Sequence, residues 1–270
     1  MDWDFAKISA TGNDFILFDN RDRKLNASTD AQRFRQWCQR RTGIGADGVI
    51  LLQHSDRADF EYVHINADGG IAGMCGNGSR AIAFFAHQLG VAGPESCFEI
   101  NGALYRAQLD GRMVSTSFPP PGPVRLDLKL LLGKEQQRTS GLEIGGAINT
   151  GVPHVVLFHK DVDHAPIERT APRIRHSALF PDGANVNYVQ VLDPKHIKMR
   201  TWERGVEGET LACGTGAVAA AVICALKKNT ASPVRISFRG GDLTVDYVSG
   251  FERIKLTGAV TPLYWGRLWR

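Results

Sequence analysis

The stretch GETLACGTGAVAAAVICALKK, residues 208–228, places a cysteine among small residues at the start of a long apolar run. Residues 214–228 have the length of a helix and are apolar nearly all the way round, so a helix formed there must be enclosed by other elements. An earlier stretch, GMCGNGSRAIAFFAHQLG, residues 73–90, repeats this arrangement. We therefore expect two buried helices, each preceded by a Cys-Gly pair.

Most of the remaining chain is rich in strand-forming residues. Short stretches such as FAKISA, DFILFD and FEYVHIN follow one another through turn residues, mostly with no helix between them. This order argues against repeated βαβ units and favours an antiparallel or mixed sheet. Outside the two enclosed helices, residues 29–41 have the pattern of an amphipathic helix. The predicted fold class is α+β, with strands wrapped around a central helix.

The chain is predicted to divide at a proline-rich segment, FPPPGPVRL, residues 118–126. Its prolines and glycine interrupt every regular pattern. Each half of the chain carries one Cys-Gly-x-Gly element, which indicates a duplication. We predict two pseudo-symmetric domains, each a mixed or antiparallel β-sheet curled around a central buried helix: residues 1–118 with Cys75, and 119–262 with Cys213. Residues 263–270 are predicted to return to the first domain.

Composition excludes several classes of protein. A formal net charge of +4 over 270 residues is too dilute for nucleic-acid binding, which needs clustered cations on one face. The longest apolar run is too short to span a bilayer, and the acidic N-terminus does not fit a signal peptide, so we expect a cytoplasmic protein with no membrane partner. Five cysteines without close pairing indicate free thiols and no metal site: Cys38, Cys75, Cys97, Cys213 and Cys224.

Residues 43–48, GIGADG, match the dinucleotide-binding fingerprint literally. They follow a charged helix and precede a strand, which reverses the strand-turn-helix order that the fingerprint requires. We expect a loop here and no nucleotide. No lysine lies in a glycine-rich phosphate-binding setting, so pyridoxal phosphate is not indicated either.

Each Cys-Gly-x-Gly element has the features of a catalytic site. The first amides of a helix are unpaired, bind anions and lower the pKa of a nearby thiol. The structural alternative is a small buried cysteine followed by glycines that permit a tight turn. Two copies favour chemistry, because one thiolate could abstract an α-proton while an opposite thiol returns another. The other three cysteines are expected to be core residues.

Polar residues at strand ends and in loops add a second candidate set. Each alone is more often a turn or cap residue, but together they suggest a pocket for a zwitterion. The set comprises Asn13, Asp14, Asn66, His154, Asn185, Glu203 and Arg204.

Several motifs, in matching order across nearly the whole chain, resemble those of the diaminopimelate epimerase family. They are SATGNDFILFDNR, RRTGIGADGVILL, MCGNGSRA, NTGVPHVV, NVNYVQV and ERGVEGETLACGTGAVAAA. The resemblance implies a cofactor-independent isomerase that interconverts LL- and meso-2,6-diaminopimelate, on the route to lysine and peptidoglycan precursors. It also implies two α+β domains, a small-molecule amino-acid substrate and a homodimer.

The resemblance further implies roles for individual residues. Cys75 and Cys213 would be the acid/base pair, with His154 and Glu203 supporting acid/base chemistry close to the thiols. The reacting carboxylate would be bound by the amides of Gly76, Asn77, Gly214 and Thr215. The amino and distal groups of the substrate would be held by Asn13, Asn66, Asn185, Glu203 and Arg204.

The chain departs from the family pattern at three places. Val152 replaces an Asn, Gly48 replaces a Gln, and Gly70-Ile71 replaces Ser-Glu; Val152 bears on recognition of the distal end of the substrate. Two alternatives stay open at this point. One is a racemase of the same fold acting on histidine, proline or hydroxyproline, and the other is a non-catalytic protein that binds amino acids or senses thiol oxidation.

Overall fold

The computed structural model describes residues 3–126, 128 and 140–269. The chain forms two compact units, one of Met1–Ser117 with Thr257–Arg270 and one of Phe118–Leu256. The first boundary lies one residue before the predicted division. The returning segment begins at Thr257 and not at residue 263, because Val260 already pairs with Ala10 in the N-terminal unit.

The N-terminal unit is a closed sheet. Its strands are β1 (Trp3–Ala10), β2 (Asn13–Asp19), β3 (Gly48–Gln53), β4 (Phe60–Asn66), β5 (Glu95–Ile100), β6 (Ala103–Asp110), β7 (Met113–Phe118) and the C-terminal strand β15 (Ile254–Leu268). They follow the chain order, and β15 pairs with both β7 and β1. The pairs β2–β3 and β4–β5 are parallel, whereas the neighbouring pairs are antiparallel.

Two helices cover this sheet. Helix α2 (Gly76–Gln88) packs against β1 to β4 and β6, and every residue from Gly76 to Ala86 is buried, as its apolar sequence predicts. Helix α1 (Ala31–Cys38) is shorter than the predicted 29–41, and its Phe34 and Trp37 pack on residues of β2 and β3 that point away from α2. Because both faces are covered, β3 is buried throughout, and the apolar residues of β2, Phe15 to Phe18, are buried as well.

The C-terminal unit repeats this plan with its own strands and helices. The strands are β8 (Glu143–Asn149), β9 (Pro153–Phe158), β10 (Asn185–Asp193), β11 (His196–Glu203), β12 (Gly208–Thr210), β13 (Val234–Phe238) and β14 (Gly241–Tyr247), and a short 3₁₀ helix spans Val162–His164. Helix α3 (Ile167–Arg175) packs on β10. Helix α4 (Gly214–Lys228) is buried from Gly214 to Cys224 and packs against β8, β9, β10 and β14.

The two units share one order of strand pairing. The order β8-β9-β10-β11-β13-β14 runs antiparallel, parallel, antiparallel, parallel, antiparallel, as does β1 to β6. The buried helix follows the fourth strand in the first unit and, after the short β12, the corresponding strand β11 in the second. The predicted α+β fold with a sheet around a central helix is confirmed, and the matching topology supports a duplication.

The sequence does not predict helix α3 or strand β8. Pro172 lies inside α3, and proline normally argues against a helix interior. Two adjacent glycines in β8 obscure its strand pattern. Among the described residues, none of the helices has the length and hydropathy of a membrane-spanning segment.

Candidate active site

Cys75 is the N-cap residue of α2, with extended backbone angles of φ −122° and ψ 117°. Its Sγ accepts a hydrogen bond from the Gly78 amide at 3.5 Å. The amides of Gly76 and Asn77 lie in the first turn of the helix, next to this cap. The sulfur therefore sits among hydrogen-bond donors at the positive end of a helix dipole.

Asn13, at the start of β2, joins this site. Its Oδ1 lies 4.0 Å from Cys75 Sγ and accepts from Asn77 Nδ2 at 3.3 Å. Its Nδ2 donates to Asp47 Oδ2 at 2.7 Å. A carboxylate only accepts, so Asp47 fixes the amide with Oδ1 facing the cysteine. Asn66 is exposed at the end of β4, opposite Gly48 in the strand register.

Asp14 belongs to an ion-pair network beside this site. It pairs with the buried Lys7 at 2.7 Å and with Arg40 at 2.8 Å, and Arg40 also binds Asp47 at 2.6 Å. Burial disfavours ionisation of Asp14, but the hydrogen bonds of Arg40 and Lys7 outweigh it and lower the pKa of Asp14 to about 2. Lys7 also donates to the carbonyl of Gly45. The network ties β1 and β2 to the GIGADG segment, which is a loop up to Asp47, as the sequence predicts.

This network is expected to make folding stability acid-sensitive. The pKa of Asp14 is depressed in the folded state, so its contribution of about 2 kcal/mol to the free energy of unfolding is present above pH 4 and lost toward pH 2. Urea unfolding at several pH values measures it. Asp14→Asn leaves Lys7 unpaired and destabilises the protein near neutral pH, and the gap to wild type should narrow as the pH falls. A gap independent of pH would contradict this expectation.

A buried arginine, Arg80, lies one turn into α2. It is fully buried, and its guanidinium donates to the Gly76 carbonyl at 3.1 Å, Asn77 Oδ1 at 2.8 Å and Thr11 Oγ1 at 2.9 Å. All three acceptors are neutral. Burial lowers the pKa of Arg80 to about 10, whereas a Cys75 thiolate acts in the opposite direction. The guanidinium and the thiolate therefore favour each other's charged form.

The second glycine of each Cys-Gly-x-Gly element is required by packing. A Cβ at Gly78 would overlap Tyr62 Oη, and one at Gly216 would lie 2.6 Å from Asn187 Oδ1. Tyr62 and Asn187 come from β4 and β10. In each unit a polar side chain from a strand thus contacts the first turn of the buried helix, and only glycine leaves room for it.

Cys213 is the N-cap residue of α4, with φ −133° and ψ 112°, close to the angles of Cys75. Its Sγ lies 3.5 Å from Thr215 Oγ1, which lies 3.0 Å from Nε2 of the fully buried His154. The main-chain carbonyl of Thr215 accepts from Thr150 at 2.9 Å. Sequence reasoning selected these residues, and the structure brings Cys213, Thr215 and His154 together.

Asn185, Glu203 and Arg204 lie at adjoining strand ends of the same unit. Asn185 begins β10, Glu203 ends β11, and the Arg204 amide donates to Asn185 Oδ1 at 2.7 Å. Asn185 Nδ2 lies 3.5 Å from His154 Nε2. Asn185 is therefore linked both to Arg204 and to the hydrogen bonds around Cys213.

His154, for which the resemblance implies acid/base support, is fully buried. Burial lowers its pKa to about 3, and the positive charge of Arg204 acts in the same direction. A ring with this pKa is neutral at physiological pH and is a poor proton acceptor. Its position favours a role as a neutral hydrogen-bonding group.

The other cysteines lie outside both sites. Burial raises the pKa of Cys38 and of Cys224 to about 12, so both are inert core thiols, as expected. Cys97 is only half-buried, which corrects its assignment to the core, because it lies on the partly exposed strand β5. The described residues contain no cluster of His, Cys, Asp or Glu that could hold a metal ion.

Sequence reasoning missed four residues of these sites: Arg80, Tyr62, Asn187 and Asp47. Arg80 had a visible signal, since it is the one arginine in an apolar helix. Asn187 lies two positions after Asn185 on the same face of β10. Asp47 lies in the GIGADG segment that the sequence analysis quotes, but its bond to Asn13, like the contact of Tyr62 with Gly78, joins elements distant in sequence and could not be read from it.

The sequence is similar to a known protein family and to several of its members. A family model described as Diaminopimelate epimerase matches residues 5–102 and 146–261. The diaminopimelate epimerase of Aquifex aeolicus is 39% identical, over 98% of this chain and 97% of its own. That of Chlorobaculum tepidum is also 39% identical, over 97% of this chain and 99% of its own.

Solved structures with lower identity share the fold. A phenazine biosynthesis protein of the PhzF family from Enterococcus faecalis has a TM-score of 0.76 at 15% identity, and the match covers both chains completely. A probable proline racemase from Agrobacterium radiobacter has a TM-score of 0.71 at 15% identity, over 99% of this chain and 93% of its own. The near full-length relatives, the matching family model and the two cysteine-capped helices lead to one conclusion: the chain belongs to the diaminopimelate epimerase family.

Proposed function

We propose that the chain interconverts LL- and meso-2,6-diaminopimelate without a cofactor, with Cys75 and Cys213 as the acid/base pair. In each direction one sulfur abstracts the α-proton as a thiolate, and the other, as a thiol, delivers a proton to the opposite face of the carbon. The observation that carries this proposal is the repeated geometry of the two cysteines. Each caps a buried helix with nearly the same backbone angles.

The helix N-termini supply hydrogen-bond donors that can stabilise the negative charge of the carbanion. Removal of an α-proton leaves charge next to a carboxylate, and preorganised donors stabilise that charge best where water is excluded. We assign the carboxylate to the first-turn amides of Gly76, Asn77, Gly214 and Thr215. The glycines expose these amides because they carry no side chain.

Recognition of the amino and distal groups is assigned to the polar strand-end residues. Supporting observations are the oriented amides of two of them: Asn13 donates to Asp47, and Asn185 accepts from the Arg204 amide. The remaining members are Asn66, Glu203 and Arg204. Val152 is half-buried in the loop before β9 and offers no polar side chain to a distal carboxylate or ammonium group.

The deciding experiment is to incubate the reduced protein with LL-diaminopimelate in heavy water without added cofactor. We expect α-deuterium to enter as the meso product accumulates, followed by NMR and chiral chromatography. Val152→Asn is the companion variant, and a lower KM with unchanged kcat would place residue 152 at the distal end. If no deuterium exchange occurs although both thiols are shown to be free, diaminopimelate is not the substrate. A panel of histidine, proline and hydroxyproline would then test the racemase alternative.

We also propose that the protein acts as a homodimer in the cytoplasm, where a reducing environment keeps the catalytic cysteines as thiols. The adjacent β15 residues Leu263, Tyr264 and Trp265 are 50%, 48% and 56% exposed. We assign these exposed apolar side chains to the contact surface of the dimer. Light scattering is expected to give the mass of two chains for the wild type and of one chain for Leu263→Lys. A monomeric wild type would contradict the dimer.

A further inference from the structure

The amide of Asn187, on β10, is held in one orientation. Its Nδ2 lies 2.9 Å from the Val155 carbonyl oxygen and 3.1 Å from His154 Nδ1. A carbonyl oxygen only accepts, so Nδ2 is the atom that faces Val155. Asn187 Oδ1 in turn accepts from the Thr201 hydroxyl at 3.1 Å. Both ends of the amide are thus fixed, and Asn187 is itself fully buried.

This orientation decides where His154 carries its hydrogen. Asn187 presents an N–H to Nδ1, so Nδ1 must accept and the neutral ring carries its hydrogen on Nε2. The nearest acceptor for that hydrogen is Thr215 Oγ1 at 3.0 Å. Asn185 Nδ2 lies 3.5 Å from His154 Nε2. It is a donor and cannot accept this hydrogen, since the Oδ1 of Asn185 already accepts from the Arg204 amide. The low pKa of His154, caused by burial and by Arg204, keeps the ring neutral.

The hydroxyl of Thr215 links His154 to the sulfur of Cys213. A hydroxyl that accepts from His154 retains one hydrogen to donate, and Cys213 Sγ lies 3.5 Å away. A donor aimed at sulfur favours the thiolate over the thiol. Gly216 permits the arrangement, because a Cβ there would lie 2.6 Å from Asn187 Oδ1 and 3.2 Å from Cys213 Sγ.

We infer that Asn187 is a positioning residue: it fixes His154 as the Nε2–H tautomer, and His154 thereby turns the hydroxyl hydrogen of Thr215 onto Cys213 Sγ. The inference rests on the proposed function only for the use that the reaction makes of the thiolate. The tautomer and the direction of the hydrogen bonds are properties of the free protein. They can be tested whatever the substrate.

The tautomer is tested by NMR of the full-length protein labelled with ¹⁵N-histidine, with the His154 signals assigned from a His154→Gln variant. We expect a protonated Nε2 and an unprotonated Nδ1, unchanged from mildly acidic to mildly alkaline pH. Asn187→Asp replaces the donor by an acceptor and should move the hydrogen to Nδ1. An Nδ1–H or doubly protonated ring in the wild type would overturn the inference.

The effect on sulfur is tested by alkylation with iodoacetamide across a pH series, with mass spectrometry of the Cys213 and Cys75 peptides. Thr215→Val keeps the shape of the side chain but removes the hydroxyl. It should raise the pH of half-maximal Cys213 alkylation by about one unit and leave Cys75 unchanged. Thr215→Ser should restore the wild-type midpoint.

The outcomes separate the inference from the proposed function. An unchanged Cys213 midpoint in Thr215→Val overturns the inference even if Asn187→Asp fails to fold. A wild-type protein with the expected tautomer and midpoints but no α-proton exchange would refute the proposed function alone. If both hold, Thr215→Val should also shift the pH profile of kcat in the direction of the alkylation midpoint.

Discussion

Cys75→Ala and Cys213→Ala variants are each expected to lose epimerisation by about a hundredfold to ten-thousandfold, the usual contribution of a positioned acid or base. The reason is that inversion needs a proton removed from one face of the α-carbon and another delivered to the opposite face. With one sulfur absent, no group remains on that face. The measurement is kcat for conversion of LL- to meso-diaminopimelate, followed by chiral chromatography.

The same variants distinguish two bases from one. If each sulfur serves one face, each single variant should retain slow α-deuterium exchange without inversion. The two variants should prefer opposite configurations of the reacting centre. Cys97→Ser is the matched control, because Cys97 is half-buried on β5, outside both helix caps, and its loss should leave the rate unchanged. Near-normal turnover by Cys213→Ala would refute the two-base mechanism.

Gly78→Ala is expected to destabilise the protein by about 1–3 kcal/mol, the usual cost of overpacking. Helix propensity alone predicts the opposite sign, since alanine is favoured over glycine inside a helix by about 1 kcal/mol. We expect the packing cost to exceed the gain in helix propensity, because the new methyl group would overlap Tyr62 Oη. The Tyr62 ring cannot withdraw easily, as it is 1% exposed and packs against His64 and Phe98.

A second substitution tests the cause of this loss. Tyr62 Oη is buried and has no hydrogen-bond partner among the described residues, so Tyr62→Phe should cost little by itself. Combined with Gly78→Ala, it should recover most of the stability in thermal unfolding. Activity should recover in parallel, because the Gly78 amide donates to Cys75 Sγ. A double variant no more stable than Gly78→Ala would show that the hydroxyl is not the source of the strain.

The sequence revealed the parts of the site that depend on local order. A cysteine before Gly-x-Gly and an apolar run predicts a helix cap, and the duplication predicts two of them. The boundaries of α2 and α4 followed from the same pattern. Neutral His154, by contrast, could not be predicted, because its pKa depends on enclosure by strands and on Arg204. The role of Asn187 depends on Val155, Thr201 and His154, which only strand pairing brings together.

Two parts of the observed fold differ from the prediction, and each difference has a physical cause. Helix α3 escaped prediction because its interior proline is tolerated in a short helix that packs on β10. The returning segment begins at Thr257, before the expected residue 263. Pro262 and Gly266 both lie within β15, opposite Ile8 and Phe5, with a shift of register between Lys7 and Ile8.

Strand β15 also determines when the N-terminal sheet can close during synthesis. Trp3, at the start of β1, pairs with Leu268, almost the whole length of the chain away. Until β15 leaves the ribosome, β1 has a free edge and the sheet around α2 remains open. Contacts of such sequence separation form slowly, and unpaired edges invite association with other chains. A nascent chain truncated before β15 should therefore depend on chaperones, although it already contains the whole Cys75 motif.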